Sequence, residues 1–383
     1  MFDFFEGLIE KLGVKLISDF TDKLFNFIKD VKKESKRDNN DNGGYYAKIG
    51  SSGDYAKIGS SGDYAKIGSS GDSAKIGSSG YYAKIGSSGY SAKIGSSGYS
   101  AKIGSSGYYA KIGSSGYSAK IGSSGDSAKI GSSGYSAKIG SSGDSAQIGS
   151  SGYSAKIGSS GNSAKIDISG DDSVGFACGY KSIIKAKKGT WISLCEYGVK
   201  ELEDSKKIIP MFVLSAQIGN KDYKDFKGRI LKENEYYCLS KKAFYPVDIS
   251  DGIMIKKISE KKREGITIIK GQTLDLENEK EVYLVKQEKL SAHGSTLKEA
   301  LDDLTFKKLE NTDTTEIVKE IKKTGKVTRA QYRAITGACS FGTARFCEQH
   351  EIQDLEEIEL TELRKILIND YGAEKFWNLI DGE

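Results

Sequence analysis

The fold is decided by Asp63-Tyr64-Ala65-Lys66-Ile67-Gly68-Ser69-Ser70-Gly71, followed at once by Asp72-Ser73-Ala74-Lys75-Ile76-Gly77-Ser78-Ser79-Gly80. From Tyr45 to Ile166 this nine-residue unit recurs as fourteen copies without insertion or deletion, with isoleucine at 49, 58, 67 and every ninth position up to 166. A strict period of this length predicts a β-solenoid, in which each short unit buries its apolar residues against the units above and below. A flexible Gly/Ser linker has no reason to hold Ala and Ile in phase, because nothing in it buries them. Alternation along a strand sends Ala65 and Ile67 to one face and Tyr64 and Lys66 to the other. Gly68-Ser69-Ser70-Gly71 then reads as the turn, with glycine available for positive φ.

One unit holds one short strand and cannot close a coil, so two units make an 18-residue coil with strands on opposite sides. The residue that opens each unit supports this pairing. Alternate units read Tyr45, Asp63, Tyr81, Tyr99, Tyr117, Tyr135, Tyr153, whereas the others read Asp54, Asp72, Tyr90, Tyr108, Asp126, Asp144, Asn162. Two distinct edges follow, one of them an aromatic ladder. Duplication of units in pairs would give the same pattern. Seven coils at about 4.8 Å make a rod roughly 34 Å long.

The outward lysines are the first candidate binding residues: Lys48, Lys57, Lys66, Lys75, Lys84, Lys93, Lys102, Lys111, Lys120, Lys129 and Lys138, continued by Lys156 and Lys165 and broken only at Gln147. Thirteen lysines against five aspartates give the repeats a charge of +8, within a chain of net +5. Like charges stacked one coil apart repel, and a polyanion laid along them relieves that repulsion. Tyr46, Tyr55, Tyr64, Tyr82 and Tyr109 share the lysine face and are candidates for stacking on bases. Tyr81, Tyr99, Tyr117, Tyr135 and Tyr153 form the ladder at the edge. Against these readings stands a plainer one, that lysine keeps a flat sheet soluble and discourages edge pairing. Calcium-binding nonapeptide rolls need an Asp in nearly every turn, and five in fourteen units is too few. Ice binding is excluded by the strongly hydrated lysine ammoniums.

Both ends of the repeat read as ordinary structure. Phe5, Leu8, Ile9, Leu12, Leu16, Phe20, Leu24, Ile28 and Val31 lie at helical spacing and predict an amphipathic helix over residues 1–37, a cap for the open end of the solenoid or an oligomerisation segment. Residues 38–44, rich in Asn, Asp and Gly, form a hinge. The solenoid is expected over 45–195, with Trp191 closing its last coil. Short strands then predict a β-rich module over 196–292, and helical patterns a C-terminal domain over 293–383, with Thr328-Arg329-Ala330-Gln331 as a capping box. Cys339, Cys347 and His350 make at most a partial zinc set, and buried thiols explain the cysteines better. Arg329, Arg333 and Arg345 near the Gly337–Gly342 break are the only hint of a DNA-reading helix pair, and the surrounding acids oppose it. The fold class is therefore mainly β: a two-sided solenoid with an N-terminal helix, a small β module and an α-helical C-terminal domain.

Composition narrows the function classes. Two His in 383 residues and no convergent catalytic spacing point away from an enzyme, and no cofactor or metal site is expected. No run approaches the roughly 18–20 apolar residues that a bilayer span requires. Acids in the first six residues argue against an export signal. Five scattered cysteines read as reduced thiols, which together with the missing signal predicts a cytoplasmic protein.

The tandem Ile-Gly-Ser-Ser-Gly units resemble uncharacterised proteins of bacterial phages and mobile elements. So do Ala177-Cys178-Gly179-Tyr180-Lys181, Lys187-Lys188-Gly189-Thr190-Trp191 and Tyr332-Arg333-Ala334-Ile335-Thr336-Gly337-Ala338-Cys339. The resemblance implies a host-directed accessory factor in the host cytoplasm and supplies no catalytic residues. The leading expectation is a rigid, non-enzymatic scaffold that binds a host protein complex, such as one used in defence. Nucleic-acid binding along the lysines, or a virion fibre trimerised through the N-terminal helix, are the alternatives.

Overall fold

The computed structural model describes residues 44–201, 205–276, 278–310, 312–368 and 370–382. The helix expected over 1–37 lies outside them. The chain forms two compact units that divide between Val247 and Asp248.

In the first unit, each nine-residue repeat contributes one four-residue strand, from β1 (Lys48–Ser51) and β2 (Lys57–Ser60) to β16 (Ile183–Ala186). Within the repeats odd strands pair with odd and even with even, in parallel and with equivalent positions in register: Ile49 lies beside Ile67, and Ile58 beside Ile76. The coil is therefore 18 residues, as the alternating edges predict. Two strands follow the fourteenth unit in the same ladders, so the solenoid runs for about eight turns. The interior holds the inward Ala and Ile of both sheets, with Ala65, Ile67, Ala83, Ile85, Ala101 and Ile103 fully buried. Burying one such isoleucine is worth roughly 1.5–3 kcal/mol, and the repetition makes the sum large.

The turn is not where the sequence suggests. Gly68 and Ser69 continue the strand, and the chain reverses instead over Gly-x-x-Ala, where the Ala65 N–H donates to the Gly62 carbonyl at 3.0 Å. Period-2 alternation carries the first serine of each unit inward, so Ser69, Ser87 and Ser105 are buried and their hydroxyls accept from the amide of the glycine two residues on. Among the described glycines of the fourteen repeats none has positive φ; Ser127, Ser145, Ser154 and Ser163, at the second turn position, take the left-handed conformation instead. The last glycine of each unit is required by contact. A Cβ on Gly116 would sit 1.9 Å from the carbonyl oxygen of Gly98 in the adjacent coil, and every turn from Gly62 to Gly179 repeats the conflict.

The C-terminal end of the solenoid is closed by a hairpin rather than by Trp191. Strand β17 (Trp191–Glu201) continues the odd ladder and returns antiparallel as β18 (Lys206–Gln217), while β19 (Tyr236–Ser240) caps the even ladder and pairs with β20 (Ala243–Ser250). Ile192, Leu194, Ala216, Ile218, Leu231, Tyr237 and Phe244 fill the end of the core. Trp191 is 42% exposed, edge-on to Tyr223, because the strand's alternation turns it outward. Cys178 and Cys195 stand one coil apart with Cα atoms at 4.9 Å and form a disulfide. This corrects the reading of all five cysteines as reduced thiols; Cys238, Cys339 and Cys347 are free.

The second unit begins with an antiparallel meander, β21 (Ile253–Arg263), β22 (Ile266–Thr273), β23 (Glu281–Gln287) and β24 (Leu290–Gly294). Helix α1 (Leu297–Leu309), opened by a Thr296–Glu299 capping box, packs Ala300 and Leu304 on Val285 and Ala292. Helices α2 (Thr314–Thr324), α3 (Arg329–Thr336), α4 (Ser340–Gln349), α5 (Leu360–Ile366) and α6 (Ala373–Asp381) follow, the core among them centred on Ile321, Ile335 and Phe376. The Thr328–Gln331 capping box is present as read.

Gly116→Ala should destabilise the solenoid by about 1–3 kcal/mol or more, since the blocking atom is backbone that cannot swing aside. Gly113→Ala, with nothing within 4 Å of the new Cβ, should change stability by less than about 0.5 kcal/mol. Urea denaturation of the two variants checks this. Peptide mapping without reductant should join Cys178 to Cys195 and leave Cys238, Cys339 and Cys347 open to alkylation after unfolding.

Candidate functional site

The two-sheet architecture splits the lysines. Lys48, Lys66, Lys84, Lys102, Lys120 and Lys138 belong to the odd sheet, whereas Lys57, Lys75, Lys93, Lys111 and Lys129 belong to the even one, with the apolar core between. No single surface carries all eleven. The odd-strand units carry seven lysines and one aspartate, and the even-strand units six lysines and four aspartates.

Those aspartates have work within the fold. The Asp126 carboxylate accepts the Asp144 amide at 2.8 Å, Asp144 accepts from Asn162 at 2.7 Å, and the Asn162 amide oxygen accepts from Tyr180 at 2.9 Å. Each side chain thus satisfies the backbone of the next coil, a use that needs no cation.

The tyrosine edge is present and its geometry limits what it can do. Tyr81, Tyr99, Tyr117 and Tyr135 stack at centroid spacings of 4.7–4.9 Å with interplanar angles of 2–6°, and Tyr153 continues the column at 4.8 Å. Loss of water around the stack, and then the neighbouring phenols Tyr82 and Tyr99, raise the Tyr81 pKa. A second column runs through Tyr46, Tyr64 and Tyr82, also stacked. The rings inside these columns, Tyr64, Tyr99, Tyr117 and Tyr135, have their faces against other tyrosines and offer edges and hydroxyls to a ligand; of the other tyrosines expected to stack on bases, Tyr109 meets Tyr90 and Tyr108 edge-on and Tyr55 is exposed.

The even sheet presents an open, regularly built surface. A trough of about 1130 Å³ runs along its outer side, floored by Gly59, Gly77, Gly95, Gly113, Gly131 and Gly149 and walled by Lys57, Lys75, Lys93, Lys111 and Lys129. A row of second serines, Ser79, Ser97, Ser115, Ser133 and Ser151, borders the neighbouring groove. Nothing lies within 4 Å of a Cβ built on Gly59, Gly77, Gly95, Gly113 or Gly131, so the floor is bare backbone open to a partner. At its C-terminal end stand Lys165 and Lys185, over the Tyr236 ring at 4.8 and 5.1 Å, with Lys185 paired to Asp167 at 2.6 Å. Burial, and then the Asp167 charge, push the Tyr236 phenol up to about 12. Sequence reading saw the lysine wall and missed the floor. The signal is the Gly that follows thirteen of the fourteen repeat isoleucines, all but Ile166, and its composition reads as turn.

In the second unit an apolar cavity of about 370 Å³ is lined by Tyr332, Phe346, Cys347, Ile352 and Leu355, among others. Arg329 and Arg333 turn inward: Arg333 is buried, bonds Asp303 at 2.6 Å and lies over Phe306, and Arg329 donates to the Gln353 carbonyl. They are not offered to DNA. The Cys339 thiol accepts the Gly342 amide at 3.3 Å and Cys347 is buried, which raises its pKa. Among the described residues no three His, Cys, Asp or Glu gather as metal ligands, and no helix is long and apolar enough to cross a membrane. The candidate residues Phe5, Ile9, Leu12, Leu16, Phe20, Leu24 and Ile28 lie outside the described residues.

Among the described residues, fold and surface together define a two-sheet parallel β-solenoid whose even sheet displays an open, lysine-walled trough. No protein-family model matches the chain, and neither does any curated protein or solved structure.

Because the ring faces are taken, Tyr99→Leu with Tyr117→Leu should leave single-stranded oligonucleotide affinity within twofold. Fluorescence anisotropy at fixed salt measures it, and a drop of tenfold or more would show that bases reach the rings.

Proposed function

We propose that this protein is a non-enzymatic docking scaffold, whose even sheet binds an elongated macromolecular partner along the solenoid axis. The observation that carries the reading is the glycine-floored trough, in which Lys, Ile and Gly recur in register from Lys57 to Gln147 and its glycine. A surface already held in its binding geometry loses little conformational entropy on association. Flat backbone admits close approach, and lysines about 4.8 Å apart favour an acidic partner. A host protein complex as that partner is supported only by the resemblance to phage and mobile-element proteins, and inhibition of host defence extends that same resemblance.

The test fills the floor. Gly77→Val, Gly95→Val and Gly113→Val together place side chains where open space exists, and β-branched residues suit a strand. Proteins captured from lysate of the source cell by the unaltered chain should be lost with the filled trough and retained by a control with Lys84→Gln and Lys102→Gln on the other sheet. Equal capture by both variants would sink the even-sheet reading.

The repeat charge of +8 favours a second reading, polyanion binding by lysine alone. It expects oligonucleotide affinity to fall steeply between 50 and 200 mM salt, and to fall further when Lys75, Lys93, Lys111 and Lys129 become Gln. Affinity unchanged by the four substitutions removes it.

A further inference from the structure

The apolar cavity belongs wholly to the second unit and takes no part in docking along the solenoid. Val327, Leu363 and Leu367, all buried, serve both as its walls and as core of the helical domain, and Phe346 and Ile358 pack against that core. Its volume of about 370 Å³ falls within the roughly 300–1,000 Å³ of small-molecule sites. Walls of this kind hold water poorly, because they offer it few hydrogen-bond partners. The mouth has a different chemistry. Exposed members of the same lining stand there: Tyr371 at 74%, Leu355 at 48%, and the carboxylates of Glu356 and Asp370.

Charge at this mouth is one-sided. Arg329 is the one cation among the described lining residues, and it is already engaged: it donates to the Gln353 carbonyl and stands 3.8 Å from Asp302. Glu357 is answered by Lys326 at 2.5 Å. Among the described residues neither Asp370 nor Glu356 forms an ion pair. Asp370 lies at the aromatic end of the site. There the Tyr332 hydroxyl donates to the Tyr371 carbonyl at 2.6 Å, and burial, then the Asp370 charge, push the Tyr332 phenol up to about 12. We propose that this cavity binds a small organic ammonium ion, its apolar body among Val327, Phe346 and Leu363 and its charged head at the mouth, beside Asp370, Tyr332 and Tyr371. A carboxylate without a counter-charge attracts such a head, and tyrosine rings add a cation–π term. An anion of the same shape meets Asp370 and Glu356 while Arg329 is held elsewhere. The compact cavity suits one apolar group, whereas an amphipathic helix needs a groove long enough for anchors at i, i+4 and i+7.

Isothermal titration calorimetry of the full chain at pH 7 with hexyltrimethylammonium, hexanol and hexanoate tests the site. The net charge of +5 favours hexanoate on the chain at large, so a local site is needed to reverse that order. One hexyltrimethylammonium should bind per chain, with a Kd at least tenfold below those of hexanol and hexanoate. Asp370→Asn, at an exposed carboxylate, should cut that preference to threefold or less. Glu264→Gln, on a hairpin outside the lining, should leave it unchanged. Cys339, exposed and part of the lining, gives a second readout in the unaltered chain. Saturating hexyltrimethylammonium should slow its alkylation by iodoacetamide at least fivefold, and hexanoate at the same concentration should not. Equal affinity for the three probes, or no binding at millimolar concentration, overturns the proposal. Binding that survives Asp370→Asn and leaves Cys339 reactive places the cation on the tyrosine columns of the solenoid and equally refutes it.

Discussion

Each coil of the solenoid rests on the one before it through a contact between backbones at the turn. The last glycine of a repeat packs directly against the carbonyl of its counterpart 18 residues earlier, at a distance no Cβ tolerates. That contact fixes the rise between coils, and the rest follows from it. Isoleucines stack on isoleucines, serine hydroxyls stay at one depth, and side chains at the edges fall into columns at the spacing of parallel strands. Stability in such an array is close to a sum of nearest-neighbour terms, so a defect in one coil is felt mainly by the two beside it.

The period of the sequence reveals the architecture because burial demands it. Fixed Ala and Ile positions, together with the alternation of Tyr and Asp between units, are enough to give the strand, the 18-residue coil and two unlike edges. The turn escaped the same reading for a physical reason. Gly-Ser-Ser-Gly has the composition of a turn, but tertiary packing uses its first glycine and first serine as strand and moves the reversal to the variable dipeptide. Glycine's freedom in φ was the wrong property to weigh; its missing side chain was the right one. Trp191 misled in a similar way, since a large aromatic beside the last coil suggests a plug while the pleat turns it outward. The disulfide between Cys178 and Cys195 depends on a coil spacing known only once the final turns are in place.

The candidate site was half legible. Lysine at every ninth position announces a charged face, but which lysines share a surface depends on parity, and the trough depends on the open space over Gly59, Gly77, Gly95, Gly113 and Gly131. Stacked tyrosines make the same point in reverse. A column of aromatic residues looks like a platform for bases, and in three dimensions each ring already serves as its neighbour's platform. Evenly spaced hydroxyls and ammoniums remain, a surface that recognises length and charge more than shape.

Parity has a genetic consequence. Since successive units alternate between walls, loss of a single nonapeptide would send every later unit to the opposite wall relative to the earlier ones, joining the phenol column to the carboxylate column midway along. Loss or gain of two units leaves all of this intact and alters only the reach of the array. An array of this kind can change length by even steps that alter only the number of identical contact points, whereas an odd step also exchanges its two edges.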